Sequence, residues 1–458
     1  MSADPAVADL LVGDARLLAT MAGDEIEGGW VSVRDGLVDA VGRPGDEPPA
    51  REVISAGGCL VTPGLINTHH HIFQNLTRAF GPVVNADLLT WLGTLARVWL
   101  RLDEEAAYIS AWIGLAELAL GGCTTTTDHL HVHPRPRLVD AEIAAAREVG
   151  VRFHPARGAM DLREEDGGVV PNAGVQDLDT ILEDFERLVG TYHDPAHGAM
   201  VRVALGPSSP FDSTPELMRA AGELAERLDV RLHTHLAQVA DEEAYCLERF
   251  GMRPVDLFED VGWGSSRSWV AHCIFPSADD IRRLGGWGTG VAHCPSSNMM
   301  ICGGIAPVVE LREARVPVGL GCDGSASTDH ASLWLEARTA LLLGRLRKGP
   351  TGMSARDVLE IATLGSAACL GRAGEVGVLQ PGSCADLVVW PLDGVAFAGA
   401  WSDPVEAWLR TGPLRPRHTI VAGNAIVRDG ELTLPALDEM LRRHERISRE
   451  WLAAERSA

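Results

Sequence analysis

The sequence predicts an α/β protein: a (β/α)8 TIM-type barrel with a small β-sandwich domain formed from both chain ends. Three observations lead there. The central stretch holds eight short apolar runs, several followed by amphipathic helical patterns, which is the count of a closed barrel of parallel strands. Both ends of the chain instead alternate apolar and polar residues around turn signals, the texture of short antiparallel strands. Several central runs also stop on histidine or aspartate, and a barrel gathers its strand ends at one mouth.

Residues 7–60 read as short antiparallel strands with a hairpin at Asp35-Gly36. The same texture returns at 385–390 and 419–427. The predicted division is therefore 1–60 with 376–432 as the sandwich and 61–375 as the barrel. Residues 433–458 are expected to form a charged amphipathic helix, packed outside the barrel or at a subunit contact. The eight runs fall at 61–68, 122–128, 150–157, 200–206, 229–235, 268–272, 287–293 and 316–323. Helical patterns intervene at 104–120, 138–149 and 215–228. A doubly wound sheet would use the same alternation, but no G-x-G-x-x-G follows the first run.

Composition removes several function classes. The 458 residues are 46% hydrophobic and 22% charged, as in an ordinary globular protein. Lys+Arg 40 against Asp+Glu 63 gives a formal charge of −23, which repels phosphate backbones and anionic lipid, so nucleic-acid and membrane roles are not expected. Lys348 is the only lysine, and it reads as part of a solvated turn between helices. Imine chemistry and a Walker lysine are thereby disfavoured. Nine cysteines, an odd number without CxxC, read as free buried thiols in a reducing compartment. Residues 1–5 lack a leader pattern and no uninterrupted apolar run reaches about 18 residues, so a cytoplasmic protein is expected.

The strand ends carry the chemistry. The first run ends in His69-His70-His71, the fifth in His233-Thr234-His235, the sixth in His272, the seventh in His293 and the eighth in Asp323. His69 and His71, two apart on an extended chain, face the same side and can grip one metal. His235 adds a third nitrogen and Asp323 an oxygen. Three imidazoles and a carboxylate suit one divalent ion, Zn2+ first and Fe2+ second, with a position left for a water nucleophile. His70 and His233 alternate away from this set and read as structural.

These motifs resemble the amidohydrolase superfamily in its cytosine deaminase-like branch. The matching segments are 63–71 (PGLINTHHH), 233–237 (HTHLA), 269–273 (WVAHC), 290–298 (GVAHCPSSN) and 319–327 (GLGCDGSAS). Within the branch the chain is most similar to the 8-oxoguanine deaminase group, with triazine hydrolases as neighbours. Further matches lie at 74–79 and 157–160 and at Gly206-Pro207 ahead of 208–210. The resemblance implies that His69, His71, His235 and Asp323 bind one divalent metal. It implies that His272 polarises the substrate, that Gln74 hydrogen-bonds the heterocycle, and that Trp91 and Arg157 line the pocket. His293 and Asn298 are expected near the mouth, behind the residues that touch substrate. Binuclear members bridge two metals through a carbamylated lysine, and no lysine stands at any strand end here, so a mononuclear centre is implied. The expected activity is hydrolysis of a C–N bond in a purine- or triazine-like ring, by a protein expected to form a homo-oligomer.

One position departs from the pattern. The family's fifth-strand motif reads HxxE, with the glutamate shuttling protons, whereas this chain has Gln238. A carboxamide hydrogen-bonds but neither takes nor gives a proton. Four readings stand open: a deliberate Glu→Gln replacement; proton traffic through Asp323 and His272 alone; Glu242 swinging in, though it reads as a solvated helix charge; or an unusual or lost reaction. A leaving group that departs without a proton, such as halide, would ask less of position 238. A heterocycle-binding protein with a metal but no turnover is the alternative from another class.

Overall fold

The computed structural model describes residues 7–456; residues 1–5, read above for a leader, lie outside them. Eight parallel strands close into a barrel in strict chain order: β1 (Leu65–Asn67), β2 (Cys123–Leu130), β3 (Arg152–Ala159), β4 (Ala204–Pro207), β5 (Arg231–Leu236), β6 (Ser268–His272), β7 (Gly290–His293) and β8 (Val318–Leu320). The ring closes through a single pairing of Leu320 with Asn67. Parallel strands need crossovers, and these are the helices: Glu104–Leu120 leads from β1 to β2, Leu138–Val149 from β2 to β3, and Pro215–Leu228 from β4 to β5. The last of these starts sharply because Thr214 caps the Leu217 amide and Pro215 presets the first turn.

The first predicted run splits in two. Cys59–Pro63 pairs antiparallel with Leu387–Pro391 in a six-stranded sheet, and only Leu65–Asn67 enters the barrel. A second sheet of four strands faces it, and Leu10, Val12, Val31, Val33, Val61, Leu387 and Ile420 fill the layer between them. The sandwich is not wholly antiparallel as expected. Ala8–Gly13 runs parallel to Ala50–Ser55, and Leu17–Leu18 parallel to Cys59–Pro63. The hairpin at Asp35-Gly36 forms between Trp30–Arg34 and Leu37–Gly42.

The helix Leu437–Arg456 lies against Glu104–Leu120 on the outside of the barrel. Arg443 and Arg446 both reach Glu105, at 3.0 and 2.8 Å, and Ser448 Oγ donates to the Leu76 carbonyl. Lys348 closes the helix Leu333–Lys348 and pairs with Glu310 at 3.1 Å, so the expected turn is a helix end. All nine cysteines are buried and free. Among the described residues no helix is long and apolar enough to cross a membrane.

Candidate metal centre and cavity

Four histidines and an aspartate converge at the C-terminal mouth of the barrel. His69 and His71 follow β1, His235 sits in β5, His272 ends β6, and Asp323 lies three residues beyond β8. His69 Nε2 and His71 Nε2 each stand 3.4 Å from Asp323 Oδ1, and His272 Nε2 stands 3.9 Å from Oδ2. His71 Nε2 and His235 Nε2 are 3.2 Å apart. The backbone turns sharply at two of these positions: His272 and Asp323 adopt φ of +70° and +59°.

The hydrogen bonds behind each ring fix which nitrogen carries the proton. His71 Nδ1 donates to the His129 carbonyl at 2.6 Å, and His235 Nδ1 to the Ser208 carbonyl at 2.7 Å. His233 Nδ1 donates to the Trp269 carbonyl at 3.0 Å, which leaves His233 Nε2 to accept from His69 Nδ1 at 2.8 Å. His272 Nδ1 donates to Asn298 Oδ1 at 2.9 Å. Every Nε2 in the set therefore presents a bare lone pair to the centre, and those of His69 and His272 have no partner. Burial, with the neighbouring histidines, holds His71 and His235 well below the usual imidazole range, so protonation does not relieve the contact. Lone pairs 3.2 Å apart repel unless a cation lies between them. The donor set, three neutral imidazoles with a carboxylate, fits a divalent ion.

A cavity opens above this cluster. Gln74, Trp91, Gln238, Ser209 and Asp212 are among its walls. Gln74 Oε1 is buried without a donor, and it occupies space that any side chain at Gly324 would fill, since a Cβ there would lie 1.8 Å from it. Trp91 commits its indole N–H to the Ala326 carbonyl at 3.1 Å, leaving the ring as an apolar wall. Gln238 donates to Cys302 Sγ at 3.4 Å.

Two expectations are corrected. Arg157 is absent from the cavity wall: its guanidinium binds Asp184, Gln176 and the Gly158 carbonyl over the Phe185 ring. It lies opposite Leu130 in the register between β2 and β3, the parity that faces the outer helices, whereas His129 and Ala156 take the inner one. Glu242 is buried rather than solvated. Its two oxygens accept from the Ala237 and Gln238 amides at 2.8 and 2.7 Å, clamping the turn behind Gln238, and burial pushes its carboxyl up to about 7. It is fixed there and does not face the cavity.

Other residues went unread in the sequence. His129 and His131 end β2 in the same alternating pattern as His69 and His71, a signal that was available. His129 packs among His69, His71 and His235 and donates to the Gly206 carbonyl at 2.8 Å, while His131 faces the cavity. Asp212, in the loop after β4, is held by the Ser209 amide and hydroxyl, and burial pushes it up to about 7. Asn298, already expected near the mouth, is the residue that orients His272. His293 is buried at the end of β7, and its Nδ1 lacks a partner.

Comparison with known proteins agrees with this architecture. The sequence profile described as the amidohydrolase family matches residues 60–426. The chain belongs to the amidohydrolase family. It is similar to 8-oxoguanine deaminase of Pseudomonas aeruginosa, with 46% identity over 93% of this chain and 95% of that one. It is also similar to hydroxydechloroatrazine ethylaminohydrolase of Pseudomonas sp. strain ADP, at 37% over 92% and 90%. Among solved structures, atrazine chlorohydrolase TrzN from Arthrobacter aurescens TC1 complexed with zinc superimposes with a TM-score of 0.92 at 32% identity, covering 96% of this chain and 100% of that one. This amidohydrolase is thus a metal-dependent hydrolase, with a histidine-rich pocket able to hold the ion.

Proposed function

We propose that this amidohydrolase is an aminohydrolase that releases ammonia from a purine- or triazine-like ring, with 8-oxoguanine the first candidate. The observation that carries the reading is the 3.2 Å approach of His71 and His235 through unprotonated nitrogens at the floor of the cavity. One Zn2+ per chain, held by His69, His71, His235 and Asp323, is the assignment, with Fe2+ as the alternative ion. When bound, such an ion supplies the Lewis acidity that makes water a nucleophile near neutral pH.

The remaining work falls to the chain's own groups. Asp323 keeps Oδ2 in a hydrogen bond from Ser297 Oγ at 2.5 Å, accepts the water proton and returns it to the departing amine, which leaves as ammonia. His272, oriented by Asn298, accepts at its free Nε2 an N–H of the amino substituent on the attacked carbon. Gln74 Oε1 takes a ring N–H, and Trp91 covers the ring face. Gln238 holds substrate by hydrogen bonding and moves no proton. That last point favours a second reading, in which the leaving group departs without a proton, as halide does. A cytoplasmic homo-oligomer completes the proposal, with light scattering as the check on assembly.

The test is ammonia release from 8-oxoguanine, guanine and an aminotriazine by the zinc-loaded protein. Turnover with one of them is expected. Tight binding by calorimetry with no product after long incubation would overturn the enzyme reading in favour of a binding protein. Turnover only after Gln238→Glu would mean that this chain is impaired as it stands.

A further inference from the structure

The opposite end of the barrel carries a second cluster that the hydrolytic site does not use. An open cleft lies at the N-terminal ends of β4, β5 and β6. Its walls include His154, His193, Arg202, Arg231, Arg267 and Ser266. Behind it, Arg372 is 1% exposed and Arg152 likewise.

The charges there do not balance. Arg152 is matched by Asp386 through two bonds of 2.6 and 3.0 Å. Arg267 is matched by Asp229, itself a wall of the cleft, at 3.0 Å. Glu375 pairs with both Arg202 and Arg372, with Asp194 acting on Arg202 as well. Arg231 spends one nitrogen on the Cys369 carbonyl and lies over the Trp269 ring, and its surroundings add Arg202 and Arg267. Burial and those neighbours lower it to about 10, the mark of a guanidinium lacking a counter-charge.

The donors are unmet as well. Arg202 Nε, Arg231 Nε, and Arg372 Nε and Nη1 have no acceptor, and neither ring nitrogen of His154 has a partner. His154 is buried in the cleft wall and is kept neutral by burial and by Arg372, Arg231 and Arg202, so one of its nitrogens always carries a proton to donate. Buried polar groups left unpaired are costly, and these lie beside an opening whose walls include Arg202, Arg231 and His154, where an acceptor could approach.

We propose that this cleft binds a phosphate group, using Arg231, Arg202 and His154 as donors with Arg372 as the charge behind them. Guanidinium forks suit the oxygens of a phosphate, and the cleft has room for an organic body attached to it. Inorganic phosphate and a phosphomonoester share this chemistry. The site lies at the barrel end remote from the mouth, so it is separate from substrate binding.

Calorimetric titration of the zinc-loaded protein with inorganic phosphate, against chloride at matched ionic strength, tests it. One site per chain is expected, weakened about tenfold or more by Arg231→Gln and by Ser266→Glu. Ser266 is exposed at the rim, so its substitution adds a repelling carboxylate without disturbing the buried arginines. Affinity unchanged in Ser266→Glu overturns the assignment whatever Arg231→Gln does, because a buried arginine can act through the fold. No binding of phosphate beyond the chloride control overturns it too. Ribose 5-phosphate binding more tightly than phosphate identifies a phosphomonoester ligand; equal affinity identifies the free ion.

Discussion

At the C-terminal mouth of the barrel, lone pairs face one another; at the N-terminal face, N–H donors do. The mouth brings His71 and His235 to 3.2 Å and sets Asp323 3.4 Å from His69 and His71, a donor set that suits a cation. The far end sets Arg202, Arg231 and His154 in the wall of a cleft, with Arg372 behind them, where we propose an anion binds. Packing does not favour either arrangement, since each leaves buried polar groups unpaired in the protein alone. One scaffold therefore holds two clusters of opposite polarity, one of acceptors and one of donors.

Breaking the mouth has the largest effect. His235→Ala is expected to abolish zinc retention by atomic absorption and to lower turnover by about 10³-fold or more, since a catalytic zinc site needs its full ligand set. At the other end, Glu375→Gln removes the carboxylate shared by Arg202 and Arg372. It should destabilise the fold by about 3–5 kcal/mol in urea unfolding. Added phosphate should recover part of that loss if the cleft takes an anion.

Gln238→Glu sharpens the mouth instead of breaking it. Restoring a proton carrier is expected to raise kcat for ammonia release by about 10²-fold, with little change for a halide leaving group. His233→Leu leaves the metal ligands in place but removes the acceptor of the His69 Nδ1 proton. Zinc affinity in a competition assay should fall about 10- to 100-fold, as it does when a ligand loses its supporting hydrogen bond.

The smallest effect concerns Glu336, buried beneath the mouth and held by the Ser296 amide at 3.0 Å. Burial raises its carboxyl to about 8, despite hydrogen bonds from Ser296. The folded state then keeps a proton that the unfolded chain has released near the ordinary glutamate value of about 4.3. Stability from this group is full below that value and is lost as pH rises toward about 8. Glu336→Gln should flatten the fall in unfolding midpoint between pH 5 and 8, in the zinc-loaded protein.

Much of this was readable in the residues. Eight apolar runs stopping on polar residues gave the barrel, because parallel strands buried on both faces read as near-continuous apolar stretches. Alternation along an extended chain put His69 with His71 and set His70 aside. The same rule, applied to His129 and His131, would have found two more residues of the mouth. Arg157 was misread because its side depends on the register of β3 against β2, and the sequence marks no register. The handover at Pro63-Gly64 was invisible because the sandwich strand and the barrel strand are equally apolar. Glu242 looked like a helix charge because nothing local shows that the turn at Ala237 folds over it.

The sequence by itself determined the strand–helix alternation, the histidines and aspartate at the strand ends and a glutamine at position 238, since each is legible in a few neighbouring residues. Tertiary structure decided which imidazole nitrogen is bare, where Arg157 points and why Arg202 and Arg372 share Glu375. Those depend on backbone carbonyls and charges brought together across strands and loops distant in the chain, and only closure of the barrel sets them at hydrogen-bonding range.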